Sequence, residues 1–406
     1  VFGSGGIMRY GDKALFEDES ILLPRKGTLS NIQYVNEPFW TVDTIYYSVV
    51  NKKLASPFYL FNYLKSLDLR NLNSGTGVPS MTFNSYYDLH IKLPDLSTQK
   101  AIAKVLSALD AKIELNNRIN AELEAMAKTL YDYWFVQFDF PYSPPTEGCP
   151  QDGVSIGKPY KSSGGKMVYN AELKRQIPEG WEVRELDFVL QEFTKGITTE
   201  YVEKSNLINL NQKVNKGFSL DRQYYKYLDE RIEIPKGKYA KEKDILINSL
   251  GQGTLGRIHY FCEKTNNIVI DQHLFILRVD EDKITSSYLY LLLSSKPYEI
   301  QIERQITGST GMQMLNGSNL KKFKVIVPNR DVLLGFESMV YPFYEKVVNN
   351  ETQNQQLSEL RDWLLPMLMN GQVTIAEAEK AVYKEEEAMC VAAEPVEKYT
   401  PKGNEH

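Results

Sequence analysis

The sequence predicts an α+β fold in which two mixed α/β domains are separated by two long antiparallel coiled-coil helices, with pseudo-two-fold symmetry. Three observations predict it. Sliding the chain by 234 positions lays residues 76–134 over 310–368 without a gap, so two copies of one module stand in tandem. Apolar residues in both helical stretches recur at alternating steps of three and four, the spacing of a coiled-coil seam. A stretch at 141–176, rich in Pro, Gly, Ser and Lys, reads as the linker between the copies.

Residues 1–96 form the first domain, short strands broken by Gly, Asn and Pro with one helix around 57–69. The first long helix occupies 97–140, capped by Thr98, with apolar residues at 102, 106, 109, 113, 123, 126, 130 and 134. Within it the helical pattern runs from Thr98 to about Phe135, and about 38 residues at ~1.5 Å each make a rod of roughly 57 Å. IPEGWEVREL, at 177–186, opens the second domain, which runs over 177–331. The second long helix, 332–372, is stopped by Asn370-Gly371. The acidic tail, 373–406, reads as a frayed helix followed by disorder.

The match between the copies joins loop, strand and helix, which periodicity alone would not do. SGTGVPSM at 74–81 lies over STGMQML at 309–315, and HIKLP over KVIVP. Ile102, Leu106, Leu109 and Ile113 then fall on Phe336, Val340, Phe343 and Val347. Upstream, with small indels, ILLPRKGTLSNIQYV (21–35) matches ILINSLGQGTLGRIHYF (245–261), and Val42-Asp43 matches Ile270-Asp271. Polar positions agree too: Asn116 falls on Asn350 and Asn120 on Asn354. An Asn at a seam position costs stability but fixes register, because only one alignment pairs the amides. Asn116 and Asn350 are therefore candidate register residues, solvent-facing amides beside the seam being the other reading.

Composition excludes several classes. The net charge of −5 is unlike that of a strongly basic nucleic-acid binder, yet residues 374–406 alone hold eight Glu against four Lys. Cys149, Cys262 and Cys390 lie far apart with neither disulfide nor metal-ligand spacing, which fits a cytoplasmic protein. No apolar run approaches the roughly 18–20 residues that cross a bilayer, so no membrane partner is expected. There is no nucleotide glycine fingerprint, Walker lysine or Asn-Pro-Pro-Tyr loop. His90, His259 and His273 stand isolated on strand-like segments and His406 is terminal. No catalytic residue, cofactor or metal is expected, and any chemistry belongs to partners.

Leu93 to Phe135, LPDLSTQKAIAKVLSALDAKIELNNRINAELEAMAKTLYDYWF, together with IPEGWEVREL and the paired Gly-Thr-Leu and Thr-Gly loops, resembles the specificity subunits of Type I restriction-modification systems. The resemblance covers about residues 1–372. It implies two target recognition domains separated by two conserved helices, in a non-catalytic subunit that reads a bipartite DNA sequence. It further implies assembly on double-stranded DNA with two methyltransferase subunits and with restriction/translocase subunits. The first copy departs from this pattern. Only 26 residues precede Gly27-Thr28-Leu29, against about 75 between Ile177 and Gly253-Thr254-Leu255, so the first recognition domain is expected to be N-terminally incomplete. An inactive or silent specificity cassette that only oligomerises through its helices is the alternative.

Two similar domains on a rigid spacer touch DNA at two patches, in which phosphate contacts position and base contacts specify. Arg25, Lys26, Gly27 and Thr28 offer cations, close backbone approach and a hydroxyl, suited to phosphate or guanine edges. Their counterparts are Asn248, Ser249, Gln252 and Thr254, whose amides suit adenine, followed by Arg257. Ser74 and Thr76, and Thr307, Ser309 and Thr310, form a second loop pair able to donate to phosphate. Each loop equally fits a tight turn that needs Gly at positive φ. Tyr225 and Lys226 belong to a basic-aromatic cluster that fits either a DNA-lining or a strand-packing role, and Lys195 marks a further turn. Asp43 and Asp271 read as structural hydrogen-bonding residues. Tyr131, Tyr133, Trp134, Phe135, Trp363, Leu364 and Leu365 are open to partner docking or local packing.

Overall fold

The computed structural model describes residues 1–67, 69, 79–142, 157–251, 253–308 and 313–392. The elements that position the candidate site begin with strands β1 (Ser20–Pro24), β2 (Gln33–Val35) and β3 (Ile45–Tyr47), helix α1 (Pro57–Ser66) and the long helix α2 (Leu96–Tyr131). Strands β4 (Leu190–Lys195), β5 (Asp244–Asn248), β6 (Ile258–Phe261) and β7 (Leu274–Val279) follow. Helix α3 (Ser286–Leu293), the long α4 (Arg330–Met369) and α5 (Ile375–Ala392) complete them. The chain divides into two compact units, Val1–Asn117 with Glu351–His406, and Arg118–Asn350, so that each long helix contributes a part to each unit.

In the first unit β1 is the central strand of an antiparallel sheet, ordered β2-β1-β3. Side chains alternate across a strand, so Ile21 and Leu22 enter different cores. Ile21 joins Leu29, Ile32, Leu64 and Met81, while Leu22 joins Val35, Phe39 and Ile45. Tyr59 of α1 is fully buried among Ile102, Leu106 and Leu109 of α2 and Leu357 and Leu364 of α4. Each such apolar side chain is worth roughly 1.5–3 kcal/mol on burial. Buried Gln99 fixes α1 to α2: it accepts from the Ser56 N–H and donates to the carbonyls of Leu54 and Pro94. Arg361 donates to Asp110 at 2.8 Å and Asn116 to Asn354 at 2.9 Å, an order that makes this helix pair antiparallel.

Asp95, rather than Thr98, caps α2. Its carboxylate accepts from the Ser97 and Thr98 N–H groups at 3.0 Å and from the Thr98 hydroxyl at 2.6 Å. An aspartate here satisfies donors that have no partner inside the helix. The Ser97 hydroxyl, which also donates to this carboxylate, together with the Thr98 hydroxyl and the two N–H groups, holds its pKa well below the usual carboxylate range. At the far end of α4, Gly371 takes φ 73° and closes the helix with Gln372 N–H donating to the Met367 carbonyl. Helix α5 then packs Ala378 and Val382 on the cluster containing Leu364 and Leu368.

In the second unit the sheet has four antiparallel strands, ordered β4-β7-β5-β6. Ile245, Ile247 and Leu277 face a core shared with α3, whereas Leu246, Leu274 and Ile276 face Leu210, Phe261 and Ile270. A three-stranded sheet, Lys226–Leu228 with Leu207–Leu210 and Ile268–Ile270, covers that second face and contains one parallel pairing. Here too the long helices run antiparallel: Asn350 donates to Asn120 at 2.7 Å, and the rings of Trp134 and Phe336 lie 5.6 Å apart. Tyr131, Trp134, Phe135 and Leu364 are core residues, since each is at most 5% exposed. Of the aromatic residues with open roles, Tyr133 and Trp363 remain exposed, at 40% and 50%.

Candidate nucleic-acid interface

In the second unit three segments, distant in sequence, converge on the turn 271–273 between Ile268–Ile270 and β7. Gly196 N–H donates to the Leu274 carbonyl, and Gln272 N–H to that of Ile197. Ser249 N–H donates to the His273 carbonyl at 2.8 Å, and Leu315 N–H to that of Ser249 at 2.9 Å. The segment with Lys195, the glycine loop 249–256 and the hairpin of Ile306–Thr307 with Met314–Leu315 are thereby gathered around one turn.

The first unit holds its loop by the same backbone bonds. Arg25 N–H donates to the Thr44 carbonyl and Met81 N–H to that of Arg25, both at 2.9 Å. Bridges pair Lys26 with Ser80 and Leu250 with Met314. The strand register therefore makes Thr44 the counterpart of His273 and Asp43 that of Gln272, a one-residue correction to the match of Asp43 with Asp271. Gly27, Gly251 and Gly253 take φ of 89°, 117° and 75°, so these turns do require glycine.

Lys26 and Thr28 are exposed, and Arg25 is half-buried with Nη1 donating to the Asp43 carbonyl. In the second loop Asn248 and Ser249 point inward. Asn248 is fully buried, accepting from Asn215 Nδ2 and donating to the Gln212 carbonyl, so its amide braces the loop. Ser249 Oγ donates to the Gln272 carbonyl at 3.4 Å. Thr254 and Arg257 are half-buried, the guanidinium of Arg257 donating to the Asn215 carbonyl at 2.8 Å, and Thr307 is exposed. Lys195 lies over the Phe275 ring. Tyr225 packs beside the Leu210 cluster, while exposed Lys226 lies 6.0 Å from the centre of the Tyr201 ring. Ser74, Thr76, Gln252, Ser309 and Thr310 lie outside the described residues.

The turn also carries side chains that single-residue reading passed over. Buried Asp271 accepts from the Tyr201 hydroxyl at 2.9 Å and from the His273 N–H at 2.8 Å, and it bonds His273 Nδ1. His273 is thus not isolated. Burial, with the Asp271 charge behind it, pushes the Tyr201 phenol up to about 12, so it remains a donor at neutral pH. The sequence signal was Asp-x-His between two apolar strands, IVI and LFILRV. His259, fully enclosed with Nδ1 on the Gly217 carbonyl, is pushed down to about 4 by burial and is neutral at pH 7. Among the described residues no cluster of three His, Cys, Asp or Glu could hold a metal ion, and no helix is long and apolar enough to cross a membrane.

Along the long helices, Asn116 and Asn350 are 3% and 0% exposed. Asn116 donates to Asn354 in one unit and Asn350 to Asn120 in the other, so the offset of 234 carries one bond onto the other. Asn354 donates in turn to Asn117 at 2.8 Å.

Comparison with known proteins agrees with this double architecture. Residues 2–125 and 178–332 match the family model described as Type I restriction modification DNA specificity domain. The Type I restriction enzyme HindI specificity subunit of Haemophilus influenzae is 25% identical over 374 residues, covering 80% of this chain and 79% of its own length. The MjaIX specificity subunit of Methanocaldococcus jannaschii is 24% identical over 373 residues, covering 89% and 79%. The crystal structure of the Type I restriction-modification S subunit from M. genitalium shares the fold, with a TM-score of 0.52 at 17% identity over 90% of this chain and 87% of that one. With the family model spanning both copies, the chain belongs to the Type I restriction-modification DNA specificity family.

Proposed function

We propose that this chain is the DNA sequence-recognition subunit of a Type I restriction-modification complex, binding a bipartite double-stranded target in the cytoplasm. Residues 1–96 and 177–331 act as the two target recognition domains, and the helices of 97–140 and 332–372 carry two methyltransferase subunits, with restriction/translocase subunits joining them. The chain itself contributes recognition, and methylation and cleavage reside in the partners.

One observation carries this reading: the same backbone bonds hold a loop in each unit, while the exposed side chains on the two loops differ. A shared scaffold with different surface chemistry suits the reading of two different half-sites. Lys26 and Arg25 in the first unit, and Lys195, Lys226 and Arg257 in the second, supply phosphate contacts. Thr28, Thr254 and Thr307 supply hydroxyls near base edges or phosphate. Asn248 and Ser249 shape their loop from within. Asn116 and Asn350 set the helix register. Co-expression with methyltransferase subunits, followed by sequencing of the methylated genome, tests the reading. A two-part methylated motif is expected, and partners that assemble without producing any such motif would overturn it.

A further inference from the structure

Resting on that reading of the second unit, one side chain stands out in the converged turn. His273 lies where the glycine loop, the Lys195 segment and the hairpin meet, and its side chain is 32% exposed against 4% for Asp271. Asp271 is anchored from behind by Tyr201 and by the turn's own N–H, so its carboxylate cannot follow a moving ring. A carboxylate only accepts, so an imidazole that carries a single proton holds it on Nδ1, facing Asp271. Nε2 is left as an acceptor with a fixed direction, and among the described residues it meets no partner.

We infer that His273 is a specificity-determining residue of the second half-site, its Nε2 accepting from the exocyclic amine of an adenine or cytosine in the major groove, with Asp271 as its positioning residue. The acceptor matters because amines are presented there by adenine N6 and cytosine N4, whereas guanine and thymine present oxygen acceptors. Phosphate is a poor match for this atom, since an acceptor backed by a carboxylate offers it nothing. The first unit places Thr44 at the equivalent position, so the device belongs to one half-site.

The test uses the full chain in complex with its methyltransferase subunits and a randomised duplex library, with bound sequences read out for wild type, His273→Ala, His273→Gln and Asp271→Asn. Thermal melts of each variant accompany the selection, and His273→Gln retains a polar side chain should His273→Ala fold poorly. Wild type should prefer adenine or cytosine at one position of one half-site. His273→Ala should lower binding to that site by about tenfold and erase the preference there alone, with the salt slope unchanged. Asp271→Asn should relax the same position, which a merely structural loss would not confine to one base pair. A uniform loss across sequences with a shallower salt slope would place an imidazolium on phosphate and overturn the inference. An unchanged motif in folded His273→Ala would do the same. Wild type showing no bipartite preference is a different outcome, because it removes the recognition reading itself.

Discussion

The loop around Lys26 and the loop around Leu250 hang on matching backbone bonds, yet the surroundings of the two differ in what they have buried. Beside the first, Gln33 donates to the Gly3 carbonyl at 3.0 Å. At the equivalent strand position beside the second, opposite Leu246 as Gln33 is opposite Leu22, buried His259 bonds the Gly217 carbonyl. The side chain at this strand position is therefore an amide in one unit and an imidazole in the other, each bonded to a glycine carbonyl. The backbone frame constrains geometry, and the chemistry filling it is free to diverge.

The largest consequence is in acid. Folded His259 has its pKa pushed down to about 4, whereas an unfolded chain protonates near 6.5, so between these values the unfolded state binds the extra proton. Stability from this group is full above the unfolded pKa and is lost as pH falls toward 4, by up to about 3 kcal/mol. His259→Gln, copying the first unit, should flatten that limb in denaturant titrations at pH 7 and pH 4.5. The carboxylates contribute equally to both proteins, so an identical pH slope in the variant would show that His259 is not the source.

Next in size is the strand crossing that supports the turn. A Cβ on Gly196 would lie 2.2 Å from the carbonyl oxygens of both Ile270 and Asp271, and backbone atoms cannot rotate away. Gly196→Ala should cost about 1–3 kcal/mol and displace the 271–273 turn. Gly253→Ala, with open space around its Cβ, carries only the strain of φ 75° and should cost less. Comparing the two melting temperatures checks the order.

The helices separate the units in a third way. In the first, Asn116, Asn117 and Asn354 form a linked set of amides, whereas in the second Asn350 makes one bond and its Oδ1 is buried without a partner among the described residues. Asn350→Leu alone should cost about 1 kcal/mol, because Asn120 loses its donor. Replacing both Asn120 and Asn350 by Leu should be neutral or stabilising by about that amount, while loosening register. Denaturant midpoints measure the energies, and sedimentation tests whether register loss brings new oligomers. A double variant less stable than Asn350→Leu would contradict this account.

Helices and seam amides were legible because their signal is local: a three-four spacing and an Asn at one offset suffice. The aromatic end of α2 was only half legible, since Tyr131 and Trp134 look alike in sequence whether they meet a partner or the core. At His273 the Asp-x-His spacing was there to be read, but the convergence on the turn was not, because residues 196, 249, 272 and 315 meet through backbone bonds that leave no trace in side-chain identity. The same physics explains the slip that matched Asp43 to Asp271. Alignment followed the Ile/Val-Asp pair, but the fold is registered by Arg25 on Thr44 and Ser249 on His273.

The smallest expected effect is also the sharpest test of the paired loops. Strand register sets exposed Lys26 opposite in role to half-buried Leu250, so the first loop carries a cation where the second carries none. If Lys26 meets phosphate, Lys26→Ala should weaken binding of every sequence alike and reduce the slope of log affinity against log salt by about one. Leu250→Lys should add a contact of the same kind to the second loop and steepen the slope by a similar amount. Neither change should alter which bases are selected, because a phosphate contact carries no sequence information. An altered motif in Lys26→Ala would instead place that amine on a base edge, making the two loops differ in readout at this position as well as in charge.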